Sequence, residues 1–235
     1  SDHPPHEGAE VVAGRIESQL HGFMVDNDLF QLRLLGKFNV ENALAAVAVG
    51  RALGLSADQI ARGLAKVELV PGRMEFIEEG QPFRVVVDYA HEPMSLTALF
   101  GTLKGISSGR LIAVVGSDGG GRDKSKREKM GEIAGRMADV VVITDVNCYD
   151  EDPGEIAEML AKGARLAGRV DGKDLFINVD RRAAIDQAFA LASPGDIVTI
   201  TAKGTEPFIG SAGGRKIPWD DRAVCRELIQ RSYVK

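Results

Sequence analysis

The sequence has little cysteine, no long apolar run and no excess of positive charge, and each shortage removes a class of protein. Its two cysteines, Cys148 and Cys225, make neither a disulfide framework nor a metal motif. A reducing cytosol, and so a cytoplasmic protein, is the expected setting. The longest clean apolar run, ALAAVAV at 43–49, falls far short of the roughly 20 residues that span a bilayer. No membrane partner is expected. A formal net charge of −5 offers no basic face for a sequence-independent grip on nucleic acid. The polar opening SDHPPHEGAE does not read as a signal peptide.

What is present describes an ordinary soluble α/β protein. The apolar fraction is 44% with 27 glycines, and 235 residues suffice for one large domain or two small ones. Residues 10–35 read as short strands, EVVAGRIES, HGFMVD and LFQLRLL, close enough to pair as antiparallel hairpins. FNVENALAAVAVGRALG (38–54) reads as a mostly buried helix, with Asn39 where an N-cap is wanted. A second helix is expected at about 57–66 with Ser56 as its cap, and VELVPGRME (67–75) looks like a hinge between domains.

From Arg73 the pattern changes. Strands expected at 83–88, 111–115, 139–144, 174–179 and 196–201 alternate with helices at 93–104, 123–137, 153–167, 180–192 and 219–232. That alternation is the mark of βαβ units on a mainly parallel, right-handedly wound sheet. Ligands bind such sheets at the C-terminal ends of the strands. Four strand ends here run into unusual residues: VVVDYAH, LIAVVGSDGGGRDKSKR, VVVITDVNCYDEDP and IVTITAKGTE.

Each has a plain alternative. Asp88 could bond turn amides and His91 could be a satisfied surface histidine. GSDGGG (116–121) could let backbone amides approach an anion, though it matches neither GxxxxGK[ST] nor GxGxxG. It could equally be a flexible turn, followed by a solvated basic helix start at Arg122, Lys124, Lys126 and Arg127. Asp150 to Pro153 could be only the cap and first turn of the next helix. Lys203 and Glu206 could be a surface ion pair.

The motifs LLGKFNVENALAAVAV (34–49), VPGRMEF (70–76), VVVDYAHEP (85–93), GGGRDKSKREKMGEIAGRMADVVVIT (119–144), EDP (151–153) and AKGTEPF (202–208) occur in the order found in the Mur ligases. On these motifs the chain resembles that family over nearly its whole length from about residue 10. The likeness is greatest to the members that add the third residue to UDP-N-acetylmuramoyl-dipeptide in peptidoglycan synthesis.

The resemblance implies two domains. Residues 1–72 correspond to the C-terminal part of a central ATP-binding domain, and 73–235 to a Rossmann-like, amino-acid-binding domain. It implies ATP and Mg2+ as cofactors, an acyl phosphate that an incoming amino acid attacks, and a cytoplasmic monomer. The family's P-loop and magnesium ligands would lie upstream, so the chain alone is expected to be an inactive fragment. Asn39, Asn42, Arg73, Asp88 and His91 match ATP-site positions, with Asp88 toward the ribose and Arg73 toward the phosphates. Arg122, Asn147, Tyr149, Lys203 and Glu206 match the amino-acid site. Relatives that select diaminopimelate carry DNPR where this chain has Val146-Asn147-Cys148-Tyr149, and GKGHE where it has AKGTE. A tyrosine cannot make the two-bond grip of an arginine on a carboxylate, so an amino acid other than diaminopimelate is expected, lysine or another diamino acid being examples. Two alternatives remain open at this point. One is a related ligase, such as another stem-peptide, folylpolyglutamate or cyanophycin enzyme. The other is a non-catalytic nucleotide- or amino-acid-binding module.

Overall fold

The structure is a computed structural model that describes residues 13–17 and 22–233. These fall into two compact units divided after Val70. Among the described residues no helix is long and apolar enough to cross a membrane.

The first unit pairs β1 (Ala13–Glu17), β2 (Gly22–Val25) and β3 (Asp28–Gln31) as an antiparallel sheet, as the spacing of the apolar runs requires. Helices α1 (Lys37–Ala52) and α2 (Ala57–Ala65) follow. The core joins Phe23, Val25, Phe30 and Leu32 to Val40, Ala43, Val47 and Ile60. Two expectations are corrected here. Helix α1 is not mostly buried: it buries the stripe Val40, Ala43, Val47 and Gly50, while Val49 is 60% exposed. Alanines on the other faces are small enough to meet water at little cost. Nor is Asn39 the N-cap. The helix begins earlier, after Gly36, whose φ of 97° suits glycine. Asn39 lies in the first turn and donates from Nδ2 to the Leu35 carbonyl at 2.7 Å. Ser56 does cap α2, accepting from Gln59 N, with the Gln59 side chain accepting from Ser56 N at 2.9 Å.

The second unit contains β4 (Glu75–Ile77), β5 (Arg84–Val87), α3 (Pro93–Ile106), β6 (Leu111–Val115), α4 (Ser125–Met137), β7 (Val140–Ile143), α5 (Pro153–Leu166) and β8 (Leu175–Ile177). It continues with α6 (Arg181–Leu191), β9 (Ile197–Ile200), a hairpin of β10 (Phe208–Ser211) and β11 (Arg215–Pro218), and α7 (Asp221–Tyr233). Its six-stranded sheet has the order β4-β5-β9-β6-β7-β8, parallel except for β4. The runs LIAVV, VVVI and IVTI are buried at every position, as strands covered by helices on both faces must be. β4 and the β10–β11 hairpin lie within segments that sequence periodicity leaves unassigned.

Candidate functional site

The strand order decides which loops meet. β9 inserts between β5 and β6, so the loops after β5, β9, β6 and β7 stand side by side on the C-terminal edge of the sheet. Residues as much as 117 positions apart in the chain, Tyr89 and Glu206, are thereby brought together, at the kind of crevice where open α/β sheets hold ligands.

Asn147, in the loop that follows β7, is the hub, and it is buried. Its Nδ2 donates to Asp118 Oδ1 at 2.8 Å and to Glu206 Oε2 at 3.1 Å. Its Oδ1 accepts from Lys203 Nζ at 3.0 Å and from Gly210 N at 2.7 Å. Lys203 Nζ also donates to Glu206 Oε2 at 2.8 Å and to the Val146 carbonyl at 3.3 Å. One amide therefore holds two carboxylates in place, with a buried ammonium behind one of them. Burial pushes the Glu206 carboxyl up, but the bonds from Lys203 and Asn147 outweigh it and leave the group below the ordinary carboxylate range. Enclosure lowers Lys203 from an ordinary lysine, with Glu206 opposing.

Lys203 does not lie at the surface. It is 0% exposed, so its pairing with Glu206 is no surface ion pair. Its ammonium donates to Val146, Asn147 and Glu206, and through the last of these it holds the Glu206 carboxylate in place.

Tyr149 lies beside the hub with φ 50°, and Ala202, just before Lys203, has φ 84°. Left-handed backbone at non-glycine residues costs about 1–2 kcal/mol each and gathers at functional sites. The Tyr149 ring is clamped: a Cβ on Gly120 or on Gly210 would come within 2.6 Å of it.

On the β5 side, Asp88 is buried and accepts from Met74 N and Ala90 N, both at 2.7 Å. The turn-amide alternative is thus what the carboxylate does, leaving one further lone pair on each oxygen. Burial raises its pKa against those two amides. Tyr89 places its ring under the Arg73 guanidinium, 4.2 Å from the centroid, and its hydroxyl 3.4 Å from Glu206 Oε1. His91 shares a 2.7 Å hydrogen bond between Nδ1 and the Tyr89 carbonyl.

Within the glycine loop 116–121, the Gly121 amide already faces an anion. The anion is internal: Glu151 accepts from Gly121 N at 3.4 Å and pairs with Lys124 at 2.8 Å and Arg127 at 3.1 Å. Bonds from Arg127 and then Lys124 take the Glu151 carboxyl down to about 2. The glycines serve close approach instead, since a Cβ on Gly119 would stand 2.2 Å from the Cys148 carbonyl oxygen. Arg127, expected in the solvated helix start, is 1% exposed and also donates to the Asp118 carbonyl at 2.9 Å. Arg122 is exposed at the loop end and makes no side-chain bond among the described residues. Of the acidic run, Asp152 caps α5 and Asp150 accepts from Gly213 N at 2.8 Å.

Of the expected site residues in this unit, Asn147, Tyr149, Lys203 and Glu206 come together, and Arg73, Asp88 and His91 gather around Tyr89 next to them. Asn39 and Asn42 belong to the first unit, where Asn42 Nδ2 donates to Asn39 Oδ1 at 3.3 Å. Asp118 and Tyr89 are functional candidates that sequence inspection alone passes over. An aspartate in a loop offered to anions was the available signal for Asp118.

These carboxylates set a pH response. Glu206 and Asp196 lie below the ordinary value, burial of Asp196 being outweighed by Arg110. The stability they contribute is complete above a carboxylate's usual pKa of about 4 and is lost as pH falls through their lowered values. Asp88 and Asp145, raised by burial, have the opposite sign: their protonation relieves a cost and begins at higher pH. The thermal midpoint should therefore hold or rise slightly between pH 7 and about 5 and fall steeply below about 4. A steady decline from pH 7 downward in a calorimetric series would contradict this ordering.

A mainly parallel sheet with charged, glycine-bearing loops gathered along the C-terminal edge of its strands defines an open α/β domain of the kind that holds ligands at that edge. Residues 72–204 match the family model described as Mur ligase, glutamate ligase domain, and the chain belongs to the Mur ligase family. It is 45% identical over 199 residues to a UDP-N-acetylmuramyl-tripeptide synthetase of Roseiflexus sp. (strain RS-1), covering 85% of this chain and 39% of that protein. It is 41% identical over 233 residues to a UDP-N-acetylmuramoyl-L-alanyl-D-glutamate--2,6-diaminopimelate ligase of Syntrophomonas wolfei subsp. wolfei, covering 97% of this chain and 46% of that one. A solved structure of a ligase with the latter name superimposes with a TM-score of 0.64 at 31% identity, covering 97% of this chain and 47% of the other. The chain spans less than half the length of these relatives.

Proposed function

We propose that this chain is the amino-acid-presenting part of an ATP-dependent ligase that adds the third residue to UDP-N-acetylmuramoyl-dipeptide. The carrying observation is the Asn147 hub, which fixes the Glu206 and Asp118 carboxylates at one rim. Two fixed carboxylates suit an ammonium group, and the exposed Arg122 guanidinium suits a carboxylate. An amino acid held at both ends has its amine oriented before attack, which is the main contribution a protein can make to such a transfer. The names of the relatives support the step.

The residues present fit a nucleotide at the neighbouring end. Arg73 is exposed, with its guanidinium on the Tyr89 ring, and is suited to phosphate oxygens. Asp88 and His91 complete that assignment in this unit, and Asn39 and Asn42 are assigned to the nucleotide within the first unit by itself. When bound, ATP supplies the phosphoryl group that activates the acceptor carboxylate. Mg2+ is assigned as the companion of that ATP, since this ion is ordinarily bound largely through nucleotide phosphates.

The amino acid is assigned as lysine or another diamino acid lacking the distal carboxylate of diaminopimelate. Tyr149, in place of the carboxylate-gripping arginine, has its ring closed between Gly120 and Gly210 and offers no bidentate fork. The full polypeptide encoded with this chain should release ADP with UDP-N-acetylmuramoyl-dipeptide and lysine, with kcat/KM about tenfold or more above that for diaminopimelate. Tyr149→Arg should raise diaminopimelate use by a similar factor. A wild-type preference for diaminopimelate overturns the amino-acid assignment, and no ADP release with any amino acid overturns the ligase assignment.

A further inference from the structure

Tyr89 touches both halves of the site. Its ring carries the Arg73 guanidinium on one face, 4.2 Å from the centroid, and meets the His91 ring edge-on at 4.6 Å. A Cβ on Gly204 would come within 3.0 Å of the Tyr89 Cβ, so the loop bearing Lys203 and Glu206 rests directly on this residue. Its hydroxyl lies 3.4 Å from Glu206 Oε1, while Lys203 and Asn147 occupy Oε2. The phenol is thus the partner of the one Glu206 oxygen left for a ligand. Burial and then the Glu206 charge raise its pKa, which keeps it a donor.

We propose that Tyr89 is a positioning residue that couples the nucleotide end of the site to the amino-acid end. An anion at Arg73 draws on the guanidinium that lies on the ring, and the ring's hydroxyl sets the direction of Glu206 Oε1. Phosphate at one end and ammonium at the other therefore bind cooperatively, through a single rigid side chain. This rests on the assignments of Arg73 and Glu206 made under Proposed function.

The test uses the full polypeptide, with amino-acid binding measured by calorimetry with and without a non-hydrolysable ATP analogue, and steady-state KM values for lysine and ATP. The analogue should tighten wild-type amino-acid binding about fivefold. Tyr89→Phe keeps the ring and removes the hydroxyl. It should raise the amino-acid KM about five- to tenfold, as loss of a hydrogen bond to a charged group does, reduce the nucleotide-dependent tightening to less than about twofold, and by reciprocity weaken analogue binding in the presence of the amino acid by about the coupling factor. In a Glu206→Gln background the same change should add less than about twofold, because the path through Glu206 is already cut.

Three results overturn the proposal while sparing the site: no nucleotide-dependent tightening in the wild type; an unchanged amino-acid KM in Tyr89→Phe alongside a large rise in Glu206→Gln; or additive effects in the double variant. If Glu206→Gln is also silent, the site assignment itself fails. The wild-type titration needs no variant to fold and decides the coupling alone.

Discussion

Alanine at Gly131 or Gly163 should cost the second unit about 3 kcal/mol or more, the upper end of what overpacking does. Helices α4 and α5 cross at these glycines with backbone against backbone. A Cβ on Gly131 would stand 1.8 Å from the Leu160 carbonyl oxygen, and one on Gly163 would stand 1.9 Å from that of Glu128 and 2.7 Å from Glu132 N. No side-chain rotation relieves a clash with backbone, so the helices must part by roughly 1.5 Å to restore ordinary carbon–oxygen separations. The sign is diagnostic. Alanine is otherwise favoured over glycine inside a helix by about 1 kcal/mol. Gly105 in α3, where a Cβ meets nothing within 4 Å, should show that gain. A midpoint drop of roughly 6–12 °C is expected for either crossing variant, with a small rise for Gly105→Ala, read by circular dichroism. Parting α4 from α5 would also draw Arg127 away from Glu151 and loosen the glycine loop, so amino-acid binding should weaken in the same variants. A neutral Gly131→Ala would mean that the helices do not meet as described.

The same contrast shows what the sequence makes legible. The sheet could be read because β6, β7 and β9 are continuous runs of Val, Ile and Leu, and a strand covered on both faces needs nothing else. The rim loops could be read because parallel topology sends every strand end to one edge. What could not be read depends on which way a side chain turns. Lys124, Lys126 and Arg127 look alike in a basic string, yet one turn of α4 puts Arg127 in the interior against Glu151, 24 residues further along the chain. GSDGGG suggests amides free for a ligand, whereas Gly121 N already meets the chain's own Glu151, and Gly116, Gly119 and Gly120 press against residues 144–149. Asp118 took its meaning only when Asn147 was placed beside it. Asn39 misled because Gly36 had already ended the preceding turn. Lys203 and Glu206, three residues apart, carry no sequence mark of burial. Strands of three or four residues such as β4 and β10 are too short for periodicity to reveal.

Asp221→Asn should destabilise the second unit by about 3–5 kcal/mol, because it leaves a buried guanidinium without its counter-ion. Arg181 and Asp221 are 1% and 0% exposed at the side chain, and they pair in two parallel bonds of 2.8 and 2.7 Å. The same carboxylate accepts from Trp219 Nε1 at 2.7 Å, and sits in the first turn of α7, where the helix dipole favours negative charge. Two further Arg181 donors go to the Thr201 carbonyl at 2.7 Å and the Asp145 carbonyl at 3.2 Å. Each carbonyl lies two residues before a member of the hub, Lys203 in one loop and Asn147 in the other. The pair therefore fixes the separation of the two loops that share Glu206, although neither side chain reaches the rim. Stability and site geometry can be separated by Arg181→Met with Asp221→Leu. Removing both charges avoids the stranded ion, so the double variant should recover most of the loss caused by Asp221→Asn. It leaves the two carbonyls untethered, so amino-acid affinity should remain reduced even when the melting midpoint returns toward the wild type. Full recovery of affinity together with stability would show that the ion pair supports the fold alone and has no part in holding the hub.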